Sequence, residues 1–262
     1  MTINPDQKLL EALFQRHSVR SFQAKQPGER ILTALRSEIS YATSRDAAIH
    51  FQLKLNDDAP FKGFTASYGM FHNAVNYLAC VVDTSYDDCL QRAGYWAEMF
   101  ALKAVNLGLG TCFVSGTFKA SRIAAQMRVT WRLPFIVLFG YPEERETTFM
   151  ARMMRKIAGS NIRPSAEKVL GKDSLPFDTV REKWPELITP LEAVACAPSA
   201  MNRHPVRIRI NGATGEESPS VTASLIKENS QSDIDLGIAL ANWEVAAGGE
   251  WEYGQRPEWL AP

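Results

Sequence analysis

Two short stretches decide the reading, Ala197-Pro198-Ser199-Ala200-Met201-Asn202-Arg203-His204-Pro205 and, far upstream, Arg16-His17-Ser18-Val19-Arg20. The upstream one has the chemistry of a phosphate clasp. Two guanidinium forks and a hydroxyl can converge on one dianion. The downstream one is a Pro/Ser/Asn turn, whose backbone amides and side-chain amide suit a flat polar heterocycle. One anchors charge and the other orients a ring. Residues 21–196 separate them.

The chain's 262 residues are ordinary for a globular protein, 45% hydrophobic and 22% charged, enough for one large domain or two small ones. Lys+Arg and Asp+Glu both number 29. That balance gives no electrostatic case for nucleic acid or an anionic membrane as partner. Cys80, Cys89, Cys112 and Cys196 form no Cys-x-x-Cys pair, so they read as thiols of a reducing compartment. His17, His50, His72 and His204 lack ligand spacing, which argues against a structural metal. The residues before Gln7 are polar, without an apolar signal core, and no apolar run is long enough to span a bilayer. The cytoplasm follows as the expected compartment.

Working outward, Leu9, Leu10, Leu13 and Phe14 recur at helical spacing and deliver Arg16. A second helix is expected from Glu29 to Ser40. Strands are expected at His50–Leu55, where apolar residues alternate, and at Tyr77–Asp83, an apolar run suited to burial on both faces. Gly94–Leu107 is apolar around most of its circumference and predicts a central buried helix, stopped at Gly108-Leu109-Gly110. Extended segments follow at Cys112–Gly116 and Phe135–Gly140. From Pro142 to Pro190 periodicity weakens. The pattern then partly restarts, with helix at Leu191–Ala197, strand at Val206–Ile210, and helix at Ser232–Ala247 closed by Gly248-Gly249. This predicts a diverged duplication: residues 1–150, a connector 151–190, and a second half 191–262.

The two stretches resemble the flavin-binding signatures of the FMN-dependent nitroreductase family. Phe22 and the opening amphipathic helix match as well, and Gly108-Leu109-Gly110-Thr111-Cys112-Phe113 is similar to the family's Gly-Leu-Gly-Thr-Cys-Trp segment. In ordinary members both signatures lie near the N-terminus, and two subunits share each flavin. Their separation here resembles the single-chain branch. The resemblance therefore implies an α+β nitroreductase-like fold: two fused halves forming an intramolecular pseudo-dimer, with central helices and mixed antiparallel sheets. It also implies a monomer with one FMN at the interface of the halves.

On that resemblance Arg16, His17, Ser18 and Arg20 hold the FMN phosphate, the ribityl chain and one ring edge. Phe113, Val114 and Ser115 pass beside the flavin, offering backbone contacts. Pro198, Ser199 and Ala200 lie against the ring and the Asn202 amide reaches its polar atoms. His204 stands where the family often has Gln, and Arg155 and Lys156 complete the phosphate site. Each segment also has a plainer reading. Arg16–Arg20 can be a solvated helix end, Gly108–Gly116 a helix stop feeding a core strand, and Ala197–Pro205 a loop between helix and strand. Gly-x-Gly here ends a helix, so it is no dinucleotide loop. Glu98, inside the apolar helix, reads as a buried structural carboxylate.

The implied activity is hydride transfer from NADH or NADPH through flavin N5 to a small electron-poor acceptor, a nitroaromatic or quinone. The cofactor supplies the chemistry, and no protein nucleophile or acid–base pair is required. Two other classes stay open: a flavin-binding storage or sensor protein without turnover, and a non-flavin small-ligand binder on the same scaffold.

Overall fold

The computed structural model describes residues 7–62, 69–144, 163–212, 218–227 and 230–262. In chain order their elements are α1 (Gln7–Gln15), α2 (Glu29–Arg45), β1 (Gln52–Lys54), β2 (Tyr77–Asp83), α3 (Cys89–Asn106), β3 (Gly110–Val114), β4 (Trp131–Gly140), α4 (Ala166–Val169), α5 (Phe177–Lys183), α6 (Ile188–Ala195), β5 (Val206–Asn211), β6 (Ser220–Leu225), α7 (Ser230–Ala247), β7 (Glu250–Glu252) and β8 (Glu258–Leu260). Packing divides the chain into two units. The first lies within Gln15–Cys89 and Met99–Asn161, the second within Met1–Phe14, Leu90–Glu98 and Ile162–Pro262. Each holds one four-stranded antiparallel sheet.

In the first unit the strand order is β1-β2-β4-β3. The apolar run of β2 is buried on both faces, from Tyr77 through Val82, as a strand without polar alternation must be. Its partner β4 begins four residues earlier than its apolar run suggests. Pro134 interrupts it, and the register slips there: Cys80 faces Phe135, but Val82 faces Arg132. Proline has no N–H to give the ladder, so the strand continues past it only through a bulge. On the other side of β2 the Val81 carbonyl accepts from His50 N at 2.8 Å, continuing the β1–β2 register through the Ile49–Val82 bridge. One sheet face carries Tyr77, Ala79, Cys112, Val114, Ile136 and Leu138, packed with Val19 and Phe22. That core fixes where the basic segment runs.

The second unit has the order β5-β6-β8-β7. Along β5 Val206, Ile208 and Ile210 are buried and alternate with half-buried neighbours, the period-two pattern of a sheet with one core face. α6 packs on α7 and on α4. Within the stretch where periodicity is weak, α4 and α5 form, and Gly171 N and Leu175 N bond to the carbonyls of Ile208 and Ile210. α7 is buried around almost its whole circumference, with Trp243 wedged against Trp251 and Trp259. It meets α3 through paired glycines: a Cβ on Gly94 would come within 2.2 Å of the Ile234 carbonyl oxygen. Gly108 (φ 82°) and Gly248 (φ 71°) take the left-handed conformation just beyond the two helices, where glycine alone escapes the Cβ penalty.

The cysteines are free, Cys80, Cys89 and Cys112 being buried. Burial pushes the Cys80 thiol well up. Glu98 is fully buried. Among the described residues no helix is long and apolar enough to cross a membrane, and no group of His, Cys, Asp or Glu could hold a metal ion.

Candidate functional site

The basic segment is not a tight turn. α1 ends at Gln15, and from Ser18 the chain runs extended beside the edge strand β3. Ser18 bridges Thr111, and Val19 N donates to Thr111 O at 2.8 Å. On its other flank Ser21 bridges His72. His72 N donates to Arg20 O at 2.9 Å and Phe22 N to His72 O at 3.0 Å. Beyond it, Gln23 N and Nε2 bond to the carbonyls of Tyr141 and Pro142. Alternation then sorts the side chains. Val19 turns into the core, beneath Gly110, where a Cβ would come within 2.6 Å of a Val19 methyl. Ser18 and Arg20 therefore share the opposite face.

Burial without partners marks this place. Arg20 Nη1, His72 Nδ1 and Thr111 Oγ1 are buried, and none has a hydrogen-bond partner among the described residues. Arg16 is only 5% exposed. Orphaned buried polar atoms are rare and each costs about 1–3 kcal/mol. Arg20 Nη1 and Thr111 Oγ1 lie on the face shared with Ser18 and both can donate to an acceptor-rich group, whereas His72 pairs with Ser21 and faces the other side. His17 is exposed and points back to Gln15 O at 3.2 Å. On β3, Phe113 is half-buried and stacks on Phe135 at 6.0 Å, Val114 belongs to the core, and Ser115 is exposed just past the strand. Thus the Ser18–Thr111 bridge sets the Ser18–Arg20 segment alongside β3, the strand that carries Phe113 and Val114 and leads to Ser115.

In the second unit the loop Ala197–Pro205 connects α6 to β5. Its Ala200–Asn202 turn is 3-10, and Met201, Asn202 and His204 have φ of 55°, 55° and 46°. Ser199 Oγ accepts from His204 N at 2.9 Å, and His204 Nε2 pairs with Asn202 Oδ1 at 3.0 Å. Burial, then the Arg207 and Arg163 charges, lowers the His204 pKa, so the ring is neutral at pH 7. From α7, the Asp235 carboxylate accepts from Ala200 N at 3.0 and 3.2 Å. A shallow recess is lined by Pro198, Ser199, His204, Arg207 and Asp235. Pro198, Ser199, Ala200, Asn202 and His204 thus stand together. Arg155 and Lys156 lie outside the described residues.

Asp235, His72 and Thr111 were not among the site residues expected from the sequence. Asp235 had one available signal, a carboxylate early in a largely apolar helix. Thr111 lay within the Gly108–Phe113 segment, but only its pairing with Ser18 sets it beside the basic segment, and His72 had no signal.

Two antiparallel sheets with helices make this an α+β protein. Residues 8–247 match the family described as "Putative TM nitroreductase", and the chain belongs to that nitroreductase family. No curated protein matches it. Among solved structures, a "putative nitroreductase" of Thermotoga maritima MSB8 is similar over 100% of this chain and 98% of its own, at 21% identity and a TM-score of 0.61. That likeness is one of fold. A nitroreductase with bound FMN from Desulfitobacterium hafniense DCB-2 aligns with 55% of this chain and 93% of its own, at 19% identity and a TM-score of 0.45. One from Bacteroides fragilis NCTC 9343, also with bound FMN, aligns with 53% and 93%, at 18% identity and a TM-score of 0.43.

Proposed function

We propose that the chain is an FMN-dependent oxidoreductase that takes reducing equivalents from NADH or NADPH and passes them to a small electron-poor acceptor, a nitroaromatic or quinone. Family membership supports the oxidoreductase class. The observation that carries the cofactor is the pair of buried, unpartnered groups Arg20 Nη1 and Thr111 Oγ1 on the face shared with Ser18. It fits a phosphate, which offers several acceptor oxygens and a charge that a guanidinium matches.

In this reading Arg16, Ser18 and Arg20 hold the phosphate, with His17 at the rim and Arg155 and Lys156 as further cationic candidates. Phe113, Val114 and Ser115 flank the cofactor through the β3 backbone. Pro198, Ser199 and Ala200 meet the ring, and Asn202 and neutral His204 offer it hydrogen bonds. When bound, FMN supplies the two-electron chemistry. The protein's own share is anchoring, orientation and exclusion of water. We also propose that the chain acts as a monomer and internal pseudo-dimer, its halves diverged from one duplicated unit.

The test is optical. Protein loaded with FMN and washed should be yellow, and anaerobic NADH or NADPH should bleach it within seconds; a nitroaromatic or quinone should restore the colour. A protein that retains FMN but is not bleached is a carrier. One that retains no flavin refutes the reading.

A further inference from the structure

The loop Ala197–Pro205 has a backbone shape that its residues resist. Met201, Asn202 and His204 all lie in the left-handed region, which asparagine tolerates and methionine does not favour. Such a shape persists only where its surroundings over-determine it. Four holds come from the loop itself: Asn202 N to Ser199 O at 2.9 Å, Arg203 N to Ala200 O at 3.3 Å, His204 N to Ser199 Oγ, and the His204–Asn202 pair. Others come from outside. Arg207 Nη1, on β5, donates to His204 O at 2.9 Å. Asp235, on α7, accepts from Ala200 N with both carboxylate oxygens.

Asp235 is 6% exposed and sits two residues before Gly237, where α7 presses against the α3 backbone. It is therefore fixed to the least yielding part of this unit. We infer that Asp235 is a positioning residue: its carboxylate pins the amide of Ala200 and keeps Pro198, Ser199 and Asn202 in the arrangement that receives the cofactor ring. The inference takes its ligand from the function proposed above. The hold on the loop stands apart from it.

The carboxylate is not there for stability. Burial pushes its pKa from 3.8 up to about 7, against the Ala200 bond and the Arg203 charge, both of which favour ionisation. His204, Arg207 and Arg163 are the other titratable or charged groups around the loop. A carboxyl with a raised folded pKa stabilises the fold fully below about pH 4, and that contribution is lost as pH rises towards 7. At pH 8 the protein thus keeps a buried charge at a cost in stability. What it gains is a charge-assisted bond, roughly twice as strong as a neutral one. Replacing Asp235 by its neutral isostere should raise global stability while loosening the loop. A merely structural residue does not move the two in opposite directions.

The experiment compares wild type, D235N and D235A at pH 8. It measures hydrogen exchange of the 197–205 peptide without FMN, Tm, and the FMN Kd. D235N should melt higher than wild type, exchange faster in the loop, and bind FMN about fivefold more weakly, the difference between a charge-assisted and a neutral bond. D235A, which removes the acceptor, should lose on the order of tenfold or more. Lowering the pH to 6 should narrow the ratio of wild-type to D235N affinity, a ratio in which the titration of the FMN phosphate, with its second pKa of about 6, cancels. Unchanged loop exchange, or unchanged FMN affinity with a loosened loop, in folded variants overturns the inference. If D235A does not fold, D235N alone decides. If wild type takes up no FMN, the proposed function fails, and the exchange measurement still decides whether Asp235 holds the loop.

Discussion

Gly237 on α7 meets Gln91 on α3 backbone to backbone: a Cβ on Gly237 would lie 1.8 Å from the Gln91 carbonyl oxygen and 2.8 Å from Tyr95 N. The contact is reciprocal, since Gly94 has the same relation to Ile234. Helices approach this closely only where neither carries a side chain, and neither backbone can step aside without breaking its own ladder. Gly237→Ala should therefore cost at least about 3 kcal/mol, seen as a fall of about 10 °C in Tm. Ala239→Gly, two residues along the same helix, serves as the propensity control and should cost about 1 kcal/mol of intrinsic helix preference plus one lost methyl. Equal losses in the two variants would show that the close approach is not what the glycine serves.

Arg20 is the most direct test of the clasp, because its Nη1 is buried without a partner. Arg20→Ala should weaken FMN binding by about 2–5 kcal/mol, the usual effect of truncating a desolvated charge pair, with an unchanged far-ultraviolet circular dichroism spectrum. Arg16→Ala should act in the same direction. Riboflavin lacks the phosphate. Wild type should discriminate strongly between FMN and riboflavin, and Arg20→Ala should lose much of that discrimination. Unaltered discrimination in the folded variant would show that Arg20 does not hold the phosphate.

What could be read from the sequence follows from what each element depends on. β2 has the bounds its apolar run predicts, Tyr77–Asp83, because continuous apolarity and burial on two faces are the same statement. α3 and α7 were equally legible, since both are apolar all round. β6, β7 and β8 were not. Val221 and Ala223 are the buried positions of a strand otherwise made of Ser, Thr and Leu, and β7 and β8 are three residues each. Such strands exist through their partners, and pairing leaves no mark in a short polar segment. The site divides the same way. Arginine spacing shows in the chain, but its extended course along β3 comes from the Ser18–Thr111 bridge. His72 and Asp235 reach their places across the fold.

Glu244 offers a check on the second unit's electrostatics. It accepts from Tyr95 OH at 2.5 Å. Burial raises its pKa from 4.5 to about 7, the Tyr95 bond opposing and Glu250 adding to the rise. The native state thus holds this proton to a higher pH than the unfolded chain does. The resulting stability is complete below about pH 4.5 and is lost as pH rises through 7. Glu244→Gln should be more stable than wild type at pH 8, with the gap narrowing towards pH 5. Tm values at the two pH values measure it, and a gap that widens in acid would contradict the burial argument.

Stoichiometry tests the whole reading. The basic segment Arg16–Arg20 and the loop Ala197–Pro205 each occur once in the chain. If both serve one cofactor, saturation should give one FMN per chain, and a second equivalent would mean that the two segments serve separate sites. Assembly follows from the same count. A chain that carries both signatures should need no second copy, so specific activity with NADH or NADPH should stay constant on dilution from micromolar to nanomolar protein, with FMN held well above its Kd. Sedimentation at matching concentrations reports the species present. Activity that falls in step with dissociation of a dimer would show that one chain completes the site of another, and the single-chain pseudo-dimer would have to be abandoned.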